Sequence, residues 1–354
     1  MIDTEEHLEP LIREVNAAEW IAIDTEADSL HAYPEKLCLI QVSIPGHDVL
    51  VDPLAGMALG KFFQALNRHT LLMHGADYDM RLFKRGHDFM PRTIFDTMLA
   101  ARLIGRTQFG LSALVKDYLG VELEKTSQKA NWARRPLTPK MEEYARNDTI
   151  HLELLVSALR EELRTKGRED WHRQECDRLI RDNSVIAEPD ADKVWRLKGS
   201  AKLAPRALAA LRAVWHWRED EARKRNRPPF FILSPDTMVG IAVNATAGKS
   251  INDLLPRRMP DHRKFSIQKS VKASLEIQES ECPDRHQAPP RKHISPTEKK
   301  RFSDIQQQRD REAKKLEIDP TIIASRSTMV RLACEAEGVF WDVLPWQQEL
   351  LGIS

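Results

Sequence analysis

The stretch Ile21-Ala22-Ile23-Asp24-Thr25-Glu26 decides the fold of the first half of this 354-residue chain. Its apolar beginning predicts a buried β-strand. Side chains two positions apart on a strand point to the same face, so Asp24 and Glu26 place two carboxylates side by side where the strand ends. Divalent cations such as Mg²⁺ and Mn²⁺ prefer oxygen ligands of this kind. Taken alone, the pair is also consistent with two acids that are exposed to solvent at the strand end and bind no cation.

Further apolar runs predict strands at residues 37–43, 48–52 and 71–74. Short connections between the first three strands predict an antiparallel meander, whereas helices between the later strands predict parallel crossovers. Helical patterns lie at residues 60–67, 79–85, 97–105, 111–118 and 139–164. Residues 1–189 therefore predict one mixed α/β domain.

Composition and length exclude several classes of protein. With 54 Lys+Arg, 53 Asp+Glu and 42% hydrophobic residues, the chain can build two or three soluble cores, which excludes a disordered, fibrous or disulfide-stapled protein. No apolar run approaches the roughly 18 residues that span a bilayer, and residues 1–10 carry four acids instead of a secretory signal. The four cysteines lie far apart, which predicts neither a zinc site nor disulfides. We expect a cytoplasmic protein without a membrane partner.

The second half is basic and repeats itself. Residues 1–190 carry a net charge of −8 and residues 191–354 a net charge of +9. Eleven identities, all 91 positions apart, link residues 218–242 to residues 309–333. This repeat predicts two copies of one helical module, at 200–268 and 296–354, joined by a polar linker at 269–295. A long helix is expected at 203–225.

Three acids and a tyrosine outside the first strand are further candidates. Tyr144 and Asp148 are four residues apart in a predicted helix and so share one of its faces, although such pairs are also common in packing. Asp79 follows the fourth strand and opens a helix, where an acid is most often a capping group. Asp96 precedes the helix at 97–105 and is interpreted as its N-cap.

Three motifs, in this order along the chain, resemble the DEDD superfamily of 3′–5′ exonucleases, tyrosine subgroup. They are Asp24-Thr25-Glu26, the segment 74–79 (His-Gly-Ala-Asp-Tyr-Asp) and Tyr144-x-x-x-Asp148. The intervening stretches 95–103 and 128–137 are similar to ribonuclease D. Both modules of the basic half resemble HRDC domains, helical units that bind nucleic acids.

The resemblance implies a ribonuclease H-like α/β fold followed by two all-α modules. It also implies hydrolysis with two divalent cations, Mg²⁺ or Mn²⁺, that releases nucleoside 5′-monophosphates from RNA 3′ ends such as those of tRNA precursors. By matching position, Asp24, Glu26, Asp79 and Asp148 would hold the cations, and Tyr144 would orient the attacking water. The same matching implies substrate contacts from Thr25, His74, Gln128, Trp132 and Arg135. No obligate protein partner is expected.

Two features qualify these implications. Asn131 stands where the family usually has Asp, which removes a charge beside Trp132 and bears on substrate contacts. The tryptophans that interleave with the charged stretch 218–227 are mostly expected in the core, with base stacking left open for one of them. They are Trp195, Trp215 and Trp217.

Two other functions use the same residues. The chain would be an exodeoxyribonuclease if the substrate were DNA, because none of the motifs reads a 2′-hydroxyl. It would be a binding protein if the modules acted alone and the first domain were only a scaffold, although the four acids and the tyrosine are all present. A chain that ends near Pro189 is expected to cleave short single strands and to lose affinity for structured RNA.

Overall fold

A five-stranded mixed sheet lies at the centre of the N-terminal half. The computed structural model describes residues 1–124, 126–285, 295–334 and 343–353. The strands are β1 (Ile21–Ala27), β2 (Leu37–Ile44), β3 (His47–Val51), β4 (Thr70–Met73) and β5 (Thr93–Asp96). Their order is β3-β2-β1-β4-β5; β1–β2 and β2–β3 are antiparallel, whereas β1–β4 and β4–β5 are parallel. The predicted meander and crossovers are confirmed, and β5, with only two apolar residues, was not predicted.

Helices cover the sheet. They are α1 (Glu5–Ala17), α2 (Gly60–Leu66), α3 (Asp77–His87), α4 (Thr97–Leu103), α5 (Leu111–Leu119), α6 (Pro139–Asn147), α7 (Leu152–Thr165) and α8 (Glu169–Asn183). The prediction of one helix over 139–164 is wrong, because α6 ends at Asn147 and α7 begins at Leu152. The buried Thr149 fixes the break: its hydroxyl accepts from Ser43 of β2 at 2.8 Å and donates to the Arg146 carbonyl at 3.3 Å.

The second half is helical and keeps the internal repeat. Its helices are α9 (Pro205–Arg225), α10 (Pro235–Thr246), α11 (Asp261–Glu276), α12 (Pro296–Leu316), α13 (Pro320–Ile323), α14 (Arg326–Cys334) and α15 (Pro345–Leu351). Both ends of α12 lie 91 positions after those of α9, and the residues that follow them, Asn226 and Glu317, are both left-handed, with φ of 46° and 55°. The repeat in sequence is therefore a repeat in structure.

The predicted linker at 269–295 is only partly correct. Residues 269–276 complete α11, and Val271 is buried in the core of the first module. An eight-residue error arose because the polar composition of this stretch hides its helical period. The remaining part of the linker prediction, from 286 to 294, lies outside the described residues.

The chain divides into two compact units. One comprises residues 1–27, 37–186 and 293–354, and the other comprises residues 28–36 and 187–292. The second copy of the module therefore belongs to the unit that contains the sheet. Within the described residues, no helix is long and apolar enough to cross a membrane.

The second copy shares a hydrophobic core with the helices behind the sheet. Leu103, Leu155 and Leu159 belong to the same buried cluster as Ile323 and Trp346. Trp346 also stacks on Trp171 of α8, with ring centroids 4.6 Å apart and planes 15° apart. The C-terminal segment is thus part of one packed body with the α/β domain.

Two backbone contacts fix this docking. The Arg168 guanidinium donates to the Leu103 carbonyl at 2.6 Å and to the Leu316 carbonyl at 2.8 Å, so one buried side chain joins α4 to α12. Gly105 has a φ of +95°, and a Cβ there would lie 2.2 Å from the Glu317 carbonyl oxygen. Only glycine therefore fits where these two chain segments meet.

Candidate active site

The two acids of the first motif lie on β1, between β2 and β4. Ile21, Ala22 and Ile23 are fully buried, and Asp24 and Glu26 follow at the partly exposed end of the strand. Thr25, between them, faces the other way and is buried. The strand thus fixes both carboxylates on a rigid element at the edge of the core.

Asp79 enters the same site from the first turn of α3. The hydroxyl of Thr25 donates a hydrogen bond to the Asp79 carboxylate, which joins α3 to β1. Gly75 makes the sharp turn from β4 into α3 with a φ of +66°, a conformation that favours glycine. The His-Gly-Ala spacing therefore sets where Asp79 points.

Asp96 holds this turn in place. As predicted, its carboxylate caps α4, accepting from the Met98 and Leu99 amides at 2.8 and 3.1 Å. It also accepts from the Gly75 and Ala76 amides at 3.2 and 2.8 Å. The fully buried carboxylate is satisfied by four N–H groups, and it couples the start of α4 to the turn that positions Asp79. The second role was missed, since the sequence shows only the cap.

Tyr144 and Asp148 are presented by α6. Thr138 caps the helix, and Pro139 occupies its first turn. Arg146 donates from Nη1 to the Asp48 carbonyl at 2.6 Å, which ties α6 to β3. Asp148 is the C-cap residue, and the Tyr144 hydroxyl donates a hydrogen bond to its carboxylate.

The four carboxylates act on one another electrostatically. Burial, followed by the charges of Asp79, Asp148 and Glu26, raises the pKa of Asp24 well above its usual range. Burial, followed by the charges of Asp148 and Asp79, raises the pKa of Glu26 to about 9. Burial is also the largest cause that raises the pKa of Asp79 to about 6 and that of Asp148 to about 7. The structure therefore gathers these four acids into one site in which four negative charges together are unfavourable.

This site lacks a counter-charge. Among the described residues, no three or more His, Cys, Asp or Glu side chains already form a group that could hold a metal ion. The donor set nevertheless fits a hard divalent cation, because Asp24, Glu26 and Asp148 each have a pKa raised by a neighbouring carboxylate, and positive charge between these acids would relieve that repulsion. Carboxylates that are not neutralised repel one another and so do not form a closed ligand shell.

Two of the implied substrate contacts serve another purpose in the structure. Trp132 is 1% exposed and packs in a core cluster with Leu39, Met141 and Ala145. Arg135 makes a bidentate ion pair with Asp52, both distances 2.5 Å, and donates to the Cys38 carbonyl at 2.7 Å.

These two side chains therefore hold the segment before α6 on β2 and β3. Substrate contact by them remains a prediction, and the structure adds a packing role beside Tyr144. The Trp132 ring lies 6.0 Å from the Tyr144 ring. The sequence contained no indication of this role, because the partner Asp52 is 83 positions away.

The other three implied contacts have different surroundings. His74 Nδ1 lies 2.8 Å from the Thr97 hydroxyl, and burial lowers the pKa of its imidazole, so it is neutral near pH 7. Gln128 is exposed, as a substrate contact requires. Thr25 is buried and contacts Asp79. Substrate contact by His74 and Gln128 remains a prediction, whereas Thr25 positions an acid through its side chain.

Both halves of the chain contain regions that match known protein families. A family described as 3′-5′ exonuclease matches residues 1–164, and a family described as HRDC domain matches residues 207–250. Ribonuclease D of Zymomonas mobilis is 35% identical over 243 residues, which cover 67% of this chain and 62% of that protein. Ribonuclease D of Pseudomonas paraeruginosa is 30% identical over 292 residues, which cover 80% of this chain and 77% of that protein.

The fold has a solved counterpart of the same extent. The crystal structure of Escherichia coli RNase D, described as an exoribonuclease involved in structured RNA processing, matches with a TM-score of 0.76 and 24% identity, covering 99% of this chain and 96% of that one. The exonuclease match, the HRDC match and the long alignment with the Pseudomonas protein agree with the resemblance found in the motifs. This chain belongs to the ribonuclease D family.

Proposed function

We propose that this protein is a metal-dependent 3′→5′ exoribonuclease that releases nucleoside 5′-monophosphates. The observation that carries the proposal is the group of four acids on β1, α3 and α6, in which the charge of Asp79 raises the pKa of the other three and the Tyr144 hydroxyl is bonded to Asp148. Membership of the ribonuclease D family supports the substrate class. Trimming of structured RNAs such as tRNA precursors, in the cytoplasm, is the biological setting that we propose.

Each side chain has a role in the proposed reaction. Two divalent cations, Mg²⁺ or Mn²⁺, would supply the positive charge that in-line displacement at a phosphate requires. Asp24, Glu26, Asp79 and Asp148 would hold them. Burial and then the charge of Asp148 raise the pKa of Tyr144, so its phenol keeps its proton at neutral pH. Tyr144 therefore orients the attacking water by hydrogen bonding and does not act as a base.

The basic half supplies the RNA-binding surface in this proposal. Its first module, residues 200–268, carries 13 Lys+Arg against six Asp+Glu. Positive charge of this density favours phosphate backbones and makes affinity depend on salt. We also propose that residues 296–354 are a second HRDC-like domain, on the ground of the 91-residue repeat and the matching helix bounds.

The proposed reaction predicts a ladder of products. A 5′-labelled single-stranded RNA should shorten from its 3′ end with Mn²⁺ or Mg²⁺, and EDTA should stop the reaction. The matching DNA tests the sugar preference, and Asp148→Ala serves as the variant without activity. A ladder on DNA alone would replace the proposed substrate, and RNA cleavage in EDTA would contradict the metal requirement.

The raised carboxyl pKa values predict how stability depends on pH. In the folded protein the pKa is about 6 for Asp79, about 7 for Asp148 and about 9 for Glu26, whereas these carboxyls titrate at about pH 4 in the unfolded chain. Between these pH values the folded protein binds more protons than the unfolded chain, so its stability falls as pH rises through this window. A cation that binds the ionised site should offset this loss. In melting experiments, Mn²⁺ should therefore raise the Tm more at about pH 8 than at about pH 5.

The Asp24→Asn variant, melted with magnesium as well as with manganese, is the control for this measurement. The variant has one acid fewer in the site, so its Tm should respond less to either cation. Equal Tm increases at both pH values, or equal increases in the variant and the parent, would show that the cations bind elsewhere.

A further inference from the structure

Two neighbouring phenylalanines face solvent in the first module. Phe230 is 53% exposed and Phe231 is 59% exposed, and their ring centroids lie 4.5 Å apart with planes tilted by 45°. Apolar side chains that are exposed together cost solubility and mark binding surfaces when they form a patch. The pair is therefore a candidate site that the catalytic centre does not use.

Local structure holds the pair outward. The chain leaves α9 through the left-handed Asn226 and makes a 3₁₀ turn over Pro229–Phe231, in which the Phe231 amide donates to the Pro228 carbonyl at 3.0 Å. The next two residues, Ile232 and Leu233, are buried in the core of the module. Because these two anchor the turn, the phenylalanines keep the outer side.

Unpaired positive charge lies a few residues before the rings in the chain. Lys224, Arg225 and Arg227 are exposed, and none forms an ion pair in the described part of the chain. Since consecutive Cα atoms are about 3.8 Å apart, the Cα of Arg227 lies within about 11 Å of that of Phe230. Exposed aromatic rings beside free cations are the combination that binds single-stranded nucleic acids, through base stacking and phosphate contacts.

The repeat offers an internal contrast. Thr321 and Ile322 occupy the equivalent positions in the second copy, and Ile322 packs against the buried cluster shared with the α/β domain. The same turn is thus a packing surface in one copy and a solvent-exposed aromatic pair in the other. Two of the tryptophans considered from the sequence cannot serve instead, because Trp195 is 1% and Trp217 is 7% exposed, and the third, Trp215, is partly buried against the core of the same module.

From this geometry we infer that Phe230 and Phe231 form a stacking platform for unpaired bases of RNA. Lys224, Arg225 and Arg227 hold the phosphates that flank those bases. The inference rests on the proposed function for its substrate class and adds to it a binding site for single-stranded segments, separate from the four acids. It favours RNA that carries an unpaired 3′ extension over RNA that is fully paired.

The test is a binding titration of the full chain in EDTA, so that no cleavage occurs. The probes are a blunt RNA hairpin and the same hairpin with a 3′ extension of about ten nucleotides. The double variant Phe230→Ala with Phe231→Ala should bind the extended hairpin about ten- to a hundredfold more weakly, with little change for the blunt one. Replacing Lys224 and Arg225 by Gln should also lower the salt dependence of binding, by about 0.7 in log–log slope per lost phosphate contact.

Phe265→Ala is the matched control. Phe265 is 68% exposed on α11, but the two cations that precede it in the chain are paired: Arg263 with Glu221 at 2.6 Å and Lys264 with Asp261 at 3.0 Å. This variant should bind both hairpins as the parent does. A double variant that also binds both as the parent does would overturn the inference, and so would equal weakening for the two hairpins.

The outcomes separate this inference from the proposed function. If RNA binding depends on the phenylalanines but the protein cleaves no RNA with any cation, the stacking platform is supported and the nuclease proposal is overturned. If the double variant binds both hairpins as the parent does and still cleaves a short RNA at the normal rate, the nuclease proposal stands and the stacking platform is overturned. A change in self-association in place of RNA binding would assign the phenylalanines to a second copy of the chain and overturn the inference.

Discussion

Replacement of Asp24 by Asn is expected to abolish RNA hydrolysis and to raise the Tm of the metal-free protein. Asp24 is the acid on which the charges of Asp79, Asp148 and Glu26 all act, so its replacement by a neutral side chain removes the repulsion that these three exert on it. The same change removes a ligand from the proposed cation site. Because cation stabilisation of the transition state amounts to several kcal/mol, the rate should fall by about three orders of magnitude or more.

The measurement pairs single-turnover cleavage of a labelled RNA with thermal melting in EDTA. Asp77→Asn is the matched control, since Asp77 begins the same helix as Asp79 but pairs with Arg81 on the surface. It should retain the parental rate, and its stability should change by less than about 1 kcal/mol. Hydrolysis that persists in Asp24→Asn would remove Asp24 from the site. A lower Tm for that variant would show that the carboxylate is satisfied and not repelled.

The sequence was sufficient for the parts of the site that depend on local periodicity. The apolar run before Asp24 predicts a strand whose acids share one face, and the structure has β1 with that alternation. The turn at Gly75 and the cap at Asp96 are also local, because φ preference and capping act within a few residues. Local periodicity thus positions Asp24 and Glu26, whereas Asp79 also depends on the distant contacts of Thr25 with Asp79 and of Asp96 with the turn at Gly75.

The roles that depend on distant partners could not be predicted. The family resemblance implies Arg135 as a substrate contact, and nothing in the sequence indicates that its guanidinium binds Asp52 and the Cys38 carbonyl. The break between α6 and α7 depends on Ser43, more than 100 positions earlier in the chain. Helical periodicity continues through residues 147–152, so only the tertiary contact shows that the helix ends there.

The largest effect on stability is expected from shortening the chain. Cleavage by a chain that ends near Pro189 was predicted from sequence, but the structure gives the opposite expectation. The second copy of the module contributes apolar side chains to the cluster behind the sheet, namely Ala313, Ile318, Ile323, Ala324, Met329, Leu332, Val343, Leu344, Trp346 and Leu351. A chain that ends before Ser295 should therefore expose Leu103, Leu155 and Leu159, and lose the bond from Arg168 to the Leu316 carbonyl.

Each buried aliphatic side chain that becomes exposed costs roughly 1.5–3 kcal/mol, so a few of them equal much of the about 5–15 kcal/mol that stabilises a domain. We expect the shortened chain to be aggregated or to bind a hydrophobic dye, with no RNA cleavage because β1 and α3 are no longer held. Expression yield, circular dichroism and dye binding measure this outcome. A shortened chain that is monomeric, melts cooperatively and cleaves short RNA would show that the second copy is an independent domain.

A full-length variant tests the same contact without a deletion. Gly105→Ala places a Cβ 2.2 Å from the Glu317 carbonyl oxygen at a φ of +95°, so the second copy should be displaced and the protein destabilised by more than about 2 kcal/mol. Gly110→Ala, five positions later, meets nothing within 4 Å and should change stability by less than about 1 kcal/mol. If the first variant loses RNA cleavage together with stability while the second keeps both, the C-terminal copy supports the catalytic site by packing. Its turn is then unavailable for RNA, and recognition of unpaired bases falls to the other copy, where Phe230 and Phe231 remain exposed.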